Sequence, residues 1–152
     1  MTISCRDLYW QGGDTYTVVQ PFARPRFSRG LRNHRAIFVE TEECGTGSGY
    51  LYQVSGNIQN GMIHAHKQTK QPETSPTFTG VKELIGTVTS NNYNHIRSVV
   101  DGISAPKKQF DGPKKIFPNE PLRRCHEWTD EAIQALKDCG ILQRPGSPST
   151  SC

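Results

Sequence analysis

One stretch limits the fold more than any other: Pro121 to Gly140, P-L-R-R-C-H-E-W-T-D-E-A-I-Q-A-L-K-D-C-G. Cys125, Trp128, Ala132, Leu136 and Cys139 recur at steps of three and four, with Ile133 beside them, and so form one apolar stripe at the helical period. A helix with a single apolar stripe must bury it against the rest of the chain. That docking places the Cys125 sulfur at the N-terminal corner of the contact, where unpaired backbone N–H groups and the positive end of the helix dipole favour a thiolate. Gly140 supplies the stop.

The rest of the chain has to provide what this helix packs on. Tyr16–Val19, His34–Glu42, Tyr50–Ser55, Met62–Lys67 and Val81–Val88 are rich in β-branched and aromatic residues and read as strands. Short Gly/Asn turns join the middle three, which suggests an antiparallel meander. Asn92–Val100 changes to helical spacing behind Asn91 as its cap. Residues 20–33 form a basic loop with Arg24, Arg26, Arg29 and Arg32, residues 68–80 a polar loop, and residues 104–118 a linker without periodicity. The expected fold is α+β: an antiparallel sheet of about four or five strands packed against two or three helices. Residues 1–142 make one domain with a poorly structured start over 1–15, and residues 143–152 a disordered tail.

Apolar residues make up 34% of the chain and the formal net charge is +4, without a lysine-rich helical stripe, so nucleic acid is not an expected partner. No window approaches the ~18 apolar residues of a membrane span. Five cysteines, an odd number with no C-x-x-C pair and no apolar leader before them, point to free thiols in a cytoplasmic, reducing compartment.

A nucleophilic thiol needs a base brought near in space. His34 opens the most apolar strand and so sits at a sheet end where a cleft can form. His95 lies on the shorter helix, and His126 faces away from the stripe. His64 and His66 share one strand face by the period of two, a half-site for zinc that Cys44 or Cys125 would have to complete. No second ligand pair has metal spacing, and neither metal nor cofactor is expected.

The order of these elements resembles the permuted NlpC-type branch of the papain-like hydrolases. That branch includes lecithin:retinol acyltransferase-like proteins and many small fungal proteins of unassigned role. The resemblance rests on His34-Arg35-Ala36-Ile37-Phe38-Val39, then Tyr50-Leu51-Tyr52-Gln53-Val54, then Arg124-Cys125-His126-Glu127-Trp128, across His34 to Leu142. It implies Cys125 as nucleophile, His34 as base and Gln53 as the group that orients the imidazole. It implies Trp128 as the aromatic partner three residues beyond the cysteine. Arg35, Gln53 and Arg124 depart from the family's usual aromatic, histidine and asparagine. A glutamine lends no charge to an imidazolium, and the family's apolar anchor is missing.

The expected function is therefore a cysteine-dependent hydrolase or acyltransferase working on an ester, thioester or amide carbonyl of a small molecule. Arg32, Arg35, Arg124 and Trp128 are the candidates for contacting that molecule, which the guanidinium forks suggest is acidic. Two alternatives stand beside it: a non-catalytic binding member of the same fold, or a cyclase or isomerase using His34 as acid/base.

Overall fold

A computed structural model of the chain describes residues 15–23, 34–71 and 78–144. The elements run β1 (Thr15–Ala23), β2 (His34–Arg35), β3 (Ile37–Glu40), β4 (Gly49–Tyr52), β5 (Val54–Asn57), β6 (Gly61–His64), β7 (Lys67–Thr69), β8 (Phe78–Thr89), α1 (Ser90–Asp101), β9 (Phe110–Asp111), β10 (Lys114–Lys115) and α2 (Cys125–Asp138). The architecture is mixed α+β. Among the described residues there are two helices, one six-stranded antiparallel sheet and two small hairpins, β5–β6 and β9–β10.

Strand β1 lies inside the sheet. It pairs with β8 on one side and with β2 and β3 on the other, and β3 continues to β4 and β7. β1 is longer than the Tyr16–Val19 run suggests, because its backbone stays paired through Pro21 to Ala23. Pro21 cannot donate to a ladder, and the register shifts just beyond it, where such a residue is tolerated. Two expected strands are each split by one residue: Ala36 separates β2 from β3, and Gln53 separates β4 from β5. After Gln53 the chain leaves the sheet to pair with β6, returning as β7 beside β4. Gly49 is fixed by a close approach at the β3–β4 pairing, where a Cβ would collide with the Val39 carbonyl.

The core lies between the sheet and the helices. Ile37 and Val39 point one way and pack in a cluster with Val54, Ile96, Val100, Trp128, Ala132 and Leu136. Phe38 points the other way by the strand's period of two and is equally buried. On α2, Trp128, Thr129, Ala132, Ile133 and Leu136 are buried, and Cys125 is half-buried. Cys139 belongs to the stripe by spacing but is exposed, because it is the C-cap residue where the helix has ended.

Helix boundaries follow cap chemistry. At α1 the cap is Thr89, not Asn91: its Oγ1 accepts the Asn92 N–H at 3.3 Å. At the end of α2, Gly140 takes φ 69°. The Ile141 N–H reaches the Leu136 carbonyl and the Gly140 N–H the Lys137 carbonyl, both at 3.0 Å, with Ile141 and Leu136 buried in the same cluster. This is the Schellman arrangement. The expected tail begins later than Leu142, because Gln143 forms a two-way backbone bridge with Thr87 of β8 at 2.9 Å each way. The rest of the expected tail, residues 145–152, lies outside the described residues, as does the expected loose start apart from Thr15, which opens β1.

Candidate active site

The chain reaches Cys125 through a buried amide. Gln109, in the segment expected to be an aperiodic linker, accepts the Arg123 N–H at 2.8 Å and donates to the Arg123 carbonyl at 2.6 Å. Both sides of that backbone position are thereby fixed two residues before the helix cysteine. Arg124 is the N-cap residue, and the Glu127 carboxylate accepts its N–H at 2.8 Å. This is half a capping box: a guanidinium has no lone pair to offer, so the reciprocal bond from the helix amides cannot form.

The same helix face ties down β2. Thr129, one turn beyond Cys125 and fully buried, donates its hydroxyl to the Arg35 carbonyl at 3.3 Å. The Arg35 guanidinium pairs with Asp130 at 2.8 Å. Arg35 is therefore a bracket between strand and helix, and its fork is turned to Asp130 rather than held out for a ligand. The docking brings the Cys125 sulfur within hydrogen-bonding reach of the His34 ring and of the Arg35 and His126 backbone N–H groups.

On its far side, His34 Nε2 lies 2.9 Å from Gln53 Oε1. The amide orientation follows from its other end, where Gln53 Nε2 donates to the Ala65 carbonyl at 3.2 Å. The oxygen therefore faces the imidazole, Nε2 of His34 carries a hydrogen, and Nδ1 is left for the sulfur. Burial alone would raise the Cys125 pKa. The hydrogen bond to His34, the Arg35 N–H, the charge on His34 and the His126 N–H outweigh it and hold the thiol below its ordinary range. Burial likewise acts to lower the His34 pKa, but its contacts with Cys125 and Gln53 prevail and raise it. The two shifts are opposite in direction and share one contact, so the two groups titrate as a coupled pair.

A further layer lies behind Gln53. Its backbone N–H donates to His66 Nδ1 at 3.0 Å, so His66 Nε2 bears the proton and gives it to Asp101 Oδ1, also at 3.0 Å. Arg97 holds the other Asp101 oxygen at 2.8 Å. The His64 ring stacks on His66 with centroids 5.3 Å apart, and its Nε2–H donates to the Ile103 carbonyl at 2.8 Å. Neither Cys44 nor Cys125 completes a site with these histidines; Asp101 is the third group, with one donor atom from each within 4.8 Å of the others. The set does not suit a divalent metal. A ligating nitrogen must offer a lone pair, and His66 Nε2 is protonated as long as Nδ1 accepts from Gln53.

The other expected contact residues divide. Trp128 is fully buried and its indole N–H donates to the Ile103 carbonyl at 3.0 Å, so it is core and cannot touch a substrate. Arg124 flanks Cys125 at the helix start. Arg32 lies outside the described residues. His95 is exposed on α1. A cavity of about 470 Å³ is lined by Lys107, Glu120, Leu122, Arg123, Glu127 and Glu131, and Cys125 is not among its lining residues. Four of its charges pair as Lys107–Glu120 at 3.0 Å and Arg123–Glu131 at 2.7 Å, and Glu127 accepts the Arg124 N–H at 2.8 Å.

Fold and site together define an α+β protein with a cysteine at a helix start, facing a histidine that is itself oriented by a glutamine amide. A family model described as "Family of unknown function (DUF6540)" matches residues 22–143, and the chain belongs to that family. Comparison with curated proteins and with solved structures gives no match. Among the described residues, no helix is long and apolar enough to cross a membrane.

Proposed function

We propose that this protein is a cysteine-dependent hydrolase or acyltransferase with a papain-like fold of the permuted NlpC type. It would act on an ester, thioester or amide carbonyl of a small molecule in a reducing, cytoplasmic compartment. The observation that carries this reading is the His34 ring, with Gln53 Oε1 2.9 Å from its Nε2 and the Cys125 sulfur within hydrogen-bonding reach of the ring. That is a nucleophile, its base and the group that orients the base.

In this reading the Cys125 thiolate attacks the carbonyl carbon, and the electron pair moves to the oxygen. Backbone N–H groups at the start of α2 hold the oxyanion. Collapse expels the leaving group, which takes the proton from His34 Nδ1, and leaves an acyl thioester on Cys125. Water, an amine or an alcohol then attacks the thioester, His34 accepts its proton, and the thiolate is released. Gln53 keeps the ring in one tautomer without adding charge, so the imidazolium is steadied by the thiolate rather than by a carboxylate. Arg124 flanks the thiol and suits an acidic group on the substrate.

Iodoacetamide titration tests this reading. One equivalent near neutral pH labels Cys125 ahead of the other thiols, and His34→Ala removes the preference. Labelling at the rate of a small free thiol, unchanged in His34→Ala, sinks the proposal. An acyl adduct trapped on Cys125 and seen by mass spectrometry separates it from pure binding and from acid/base isomerisation.

A further inference from the structure

Gln53 occupies an unusual place: it is the single residue at which the chain leaves the large sheet for the β5–β6 hairpin. Its side chain orients His34, yet the ladder that would hold its backbone is interrupted there. What replaces the ladder is His66, whose Nδ1 takes the Gln53 N–H at 3.0 Å while the Gln53 carbonyl accepts from Ala65 N at 2.9 Å.

Resting on the cysteine-enzyme reading above, we propose that His66 is a positioning residue for the site, acting through the backbone of Gln53, with Asp101 as its anchor. The connection is continuous: Arg97 holds Asp101, Asp101 holds His66, His66 holds Gln53, and Gln53 holds His34 against Cys125. Two features favour a tuned position over a simple buried ring. The side chain of His66 is fully buried, while Asp101, which anchors it, is 41% exposed and is gripped through both oxygens. The ring works only as the neutral tautomer protonated on Nε2, because a proton on Nδ1 would face the Gln53 N–H. Everything around it bears on that state: Asp101 and, beyond it, Arg97, the stacked His64, and the Tyr52 and Trp128 rings. Burial prevails over the Asp101 attraction and lowers the His66 pKa, in keeping with a neutral ring.

Side-chain isosteres separate the two contacts. An asparagine oxygen stands where Nδ1 stands and can accept from Gln53 without reaching Asp101. A glutamine amide stands where Nε2 stands and can reach Asp101 while leaving Gln53 unheld. The measurement is the rate of Cys125 alkylation by iodoacetamide from pH 5 to pH 9, with thermal unfolding to show that each variant is folded. His66→Ala and His66→Gln are expected to lose about tenfold in rate on the acid limb, the worth of one partly buried hydrogen bond, with little change at pH 9. His66→Asn should stay within about threefold of the native protein, as should Asp101→Asn, which still accepts the Nε2 proton. Folded His66→Ala with the native profile, or His66→Gln recovering as fully as His66→Asn, overturns the proposal. If His66→Ala does not fold, the Asn/Gln comparison decides. A native protein whose Cys125 reacts like a free thiol overturns the cysteine-enzyme reading itself, an outcome distinct from the failure of His66 alone.

Discussion

Replacing Gln53 by glutamate should move stability and thiol reactivity in opposite directions. The substitution keeps the shape of the side chain and changes only what its two ends can do. In the native protein one end accepts from His34 at 2.9 Å and the other donates to the Ala65 carbonyl at 3.2 Å. A carboxylate preserves the first contact, now assisted by charge, and turns the second into two facing oxygens. Leaving a partly buried carbonyl without its donor costs about 1–3 kcal/mol, and the charged bond to an imidazolium returns about 1 kcal/mol. The net is a loss of about 1 kcal/mol, equivalent to a melting temperature lower by about 2–4 °C for a chain of this size. A stabilised imidazolium holds the thiolate more firmly, so alkylation of Cys125 on the acid limb should rise about fivefold, the kinetic equivalent of that 1 kcal/mol. Thermal unfolding at pH 7.5 and iodoacetamide kinetics from pH 5 to pH 9 read the two effects on one sample. A variant more stable than the native protein refutes the role of Ala65. Slower alkylation refutes the placement of the Gln53 oxygen on His34.

Thr129→Val keeps the buried volume but removes the hydroxyl bond to Arg35; a loss of about 1 kcal/mol with slower Cys125 alkylation is expected, and unfolding melts with labelling rates check it. Trp128→Phe should cost about 1–2 kcal/mol, from the lost indole bond to Ile103 and a small void, while leaving the Cys125 alkylation profile within about twofold, because phenylalanine keeps an aromatic ring beside His66. Gly140→Ala places a Cβ at φ 69° and should lower stability by about 1 kcal/mol in a denaturant titration, without effect on labelling. Since the folded-state pKa of His66 is lowered, its contribution is present above the unfolded value near ~6.5 and is lost as pH falls through the folded value. The melting temperature should therefore drop as pH falls below about 6.5, and the drop should shrink in His66→Asn, which has no ring to protonate.

Much of this arrangement was legible in the chain. The period of α2 and its glycine stop set the helix, and β-branched clusters marked the strands, because both signals are local. The resemblance in element order pointed to His34, Gln53 and Cys125, which the fold brings together. What was not legible depends on partners distant in sequence. Nothing in the 104–118 segment announces that Gln109 will straddle the Arg123 backbone, since a lone glutamine in a Lys/Pro run has no period. Trp128 matched a packing position yet was also a candidate contact, and only its burial removes it from the surface. The histidine pair was a half-site for zinc by spacing alone, and spacing on a strand says nothing about tautomer. The bond from Gln53 N–H to His66 decides that, and it exists only because the strand breaks at Gln53. Thr129 could have been noticed as a polar residue inside an apolar stripe, a signal that a buried partner waits across the interface.

The helix carrying the cysteine comes late: Cys125 docks onto a strand that begins at His34. A ribosome adding about 5–20 residues per second makes His34 roughly 5–18 s and Gln53 roughly 4–14 s before the cysteine. Once made, and until α2 settles on β2, the thiol has neither imidazole nor strand amide beside it and behaves as an ordinary cysteine. In the proposed reading its reactivity comes from the docking of α2 on β2 rather than from the residue itself. Iodoacetamide labelling of Cys125 during refolding would then report the closing of the helix–strand contact, with a labelling rate that rises as the protein becomes native.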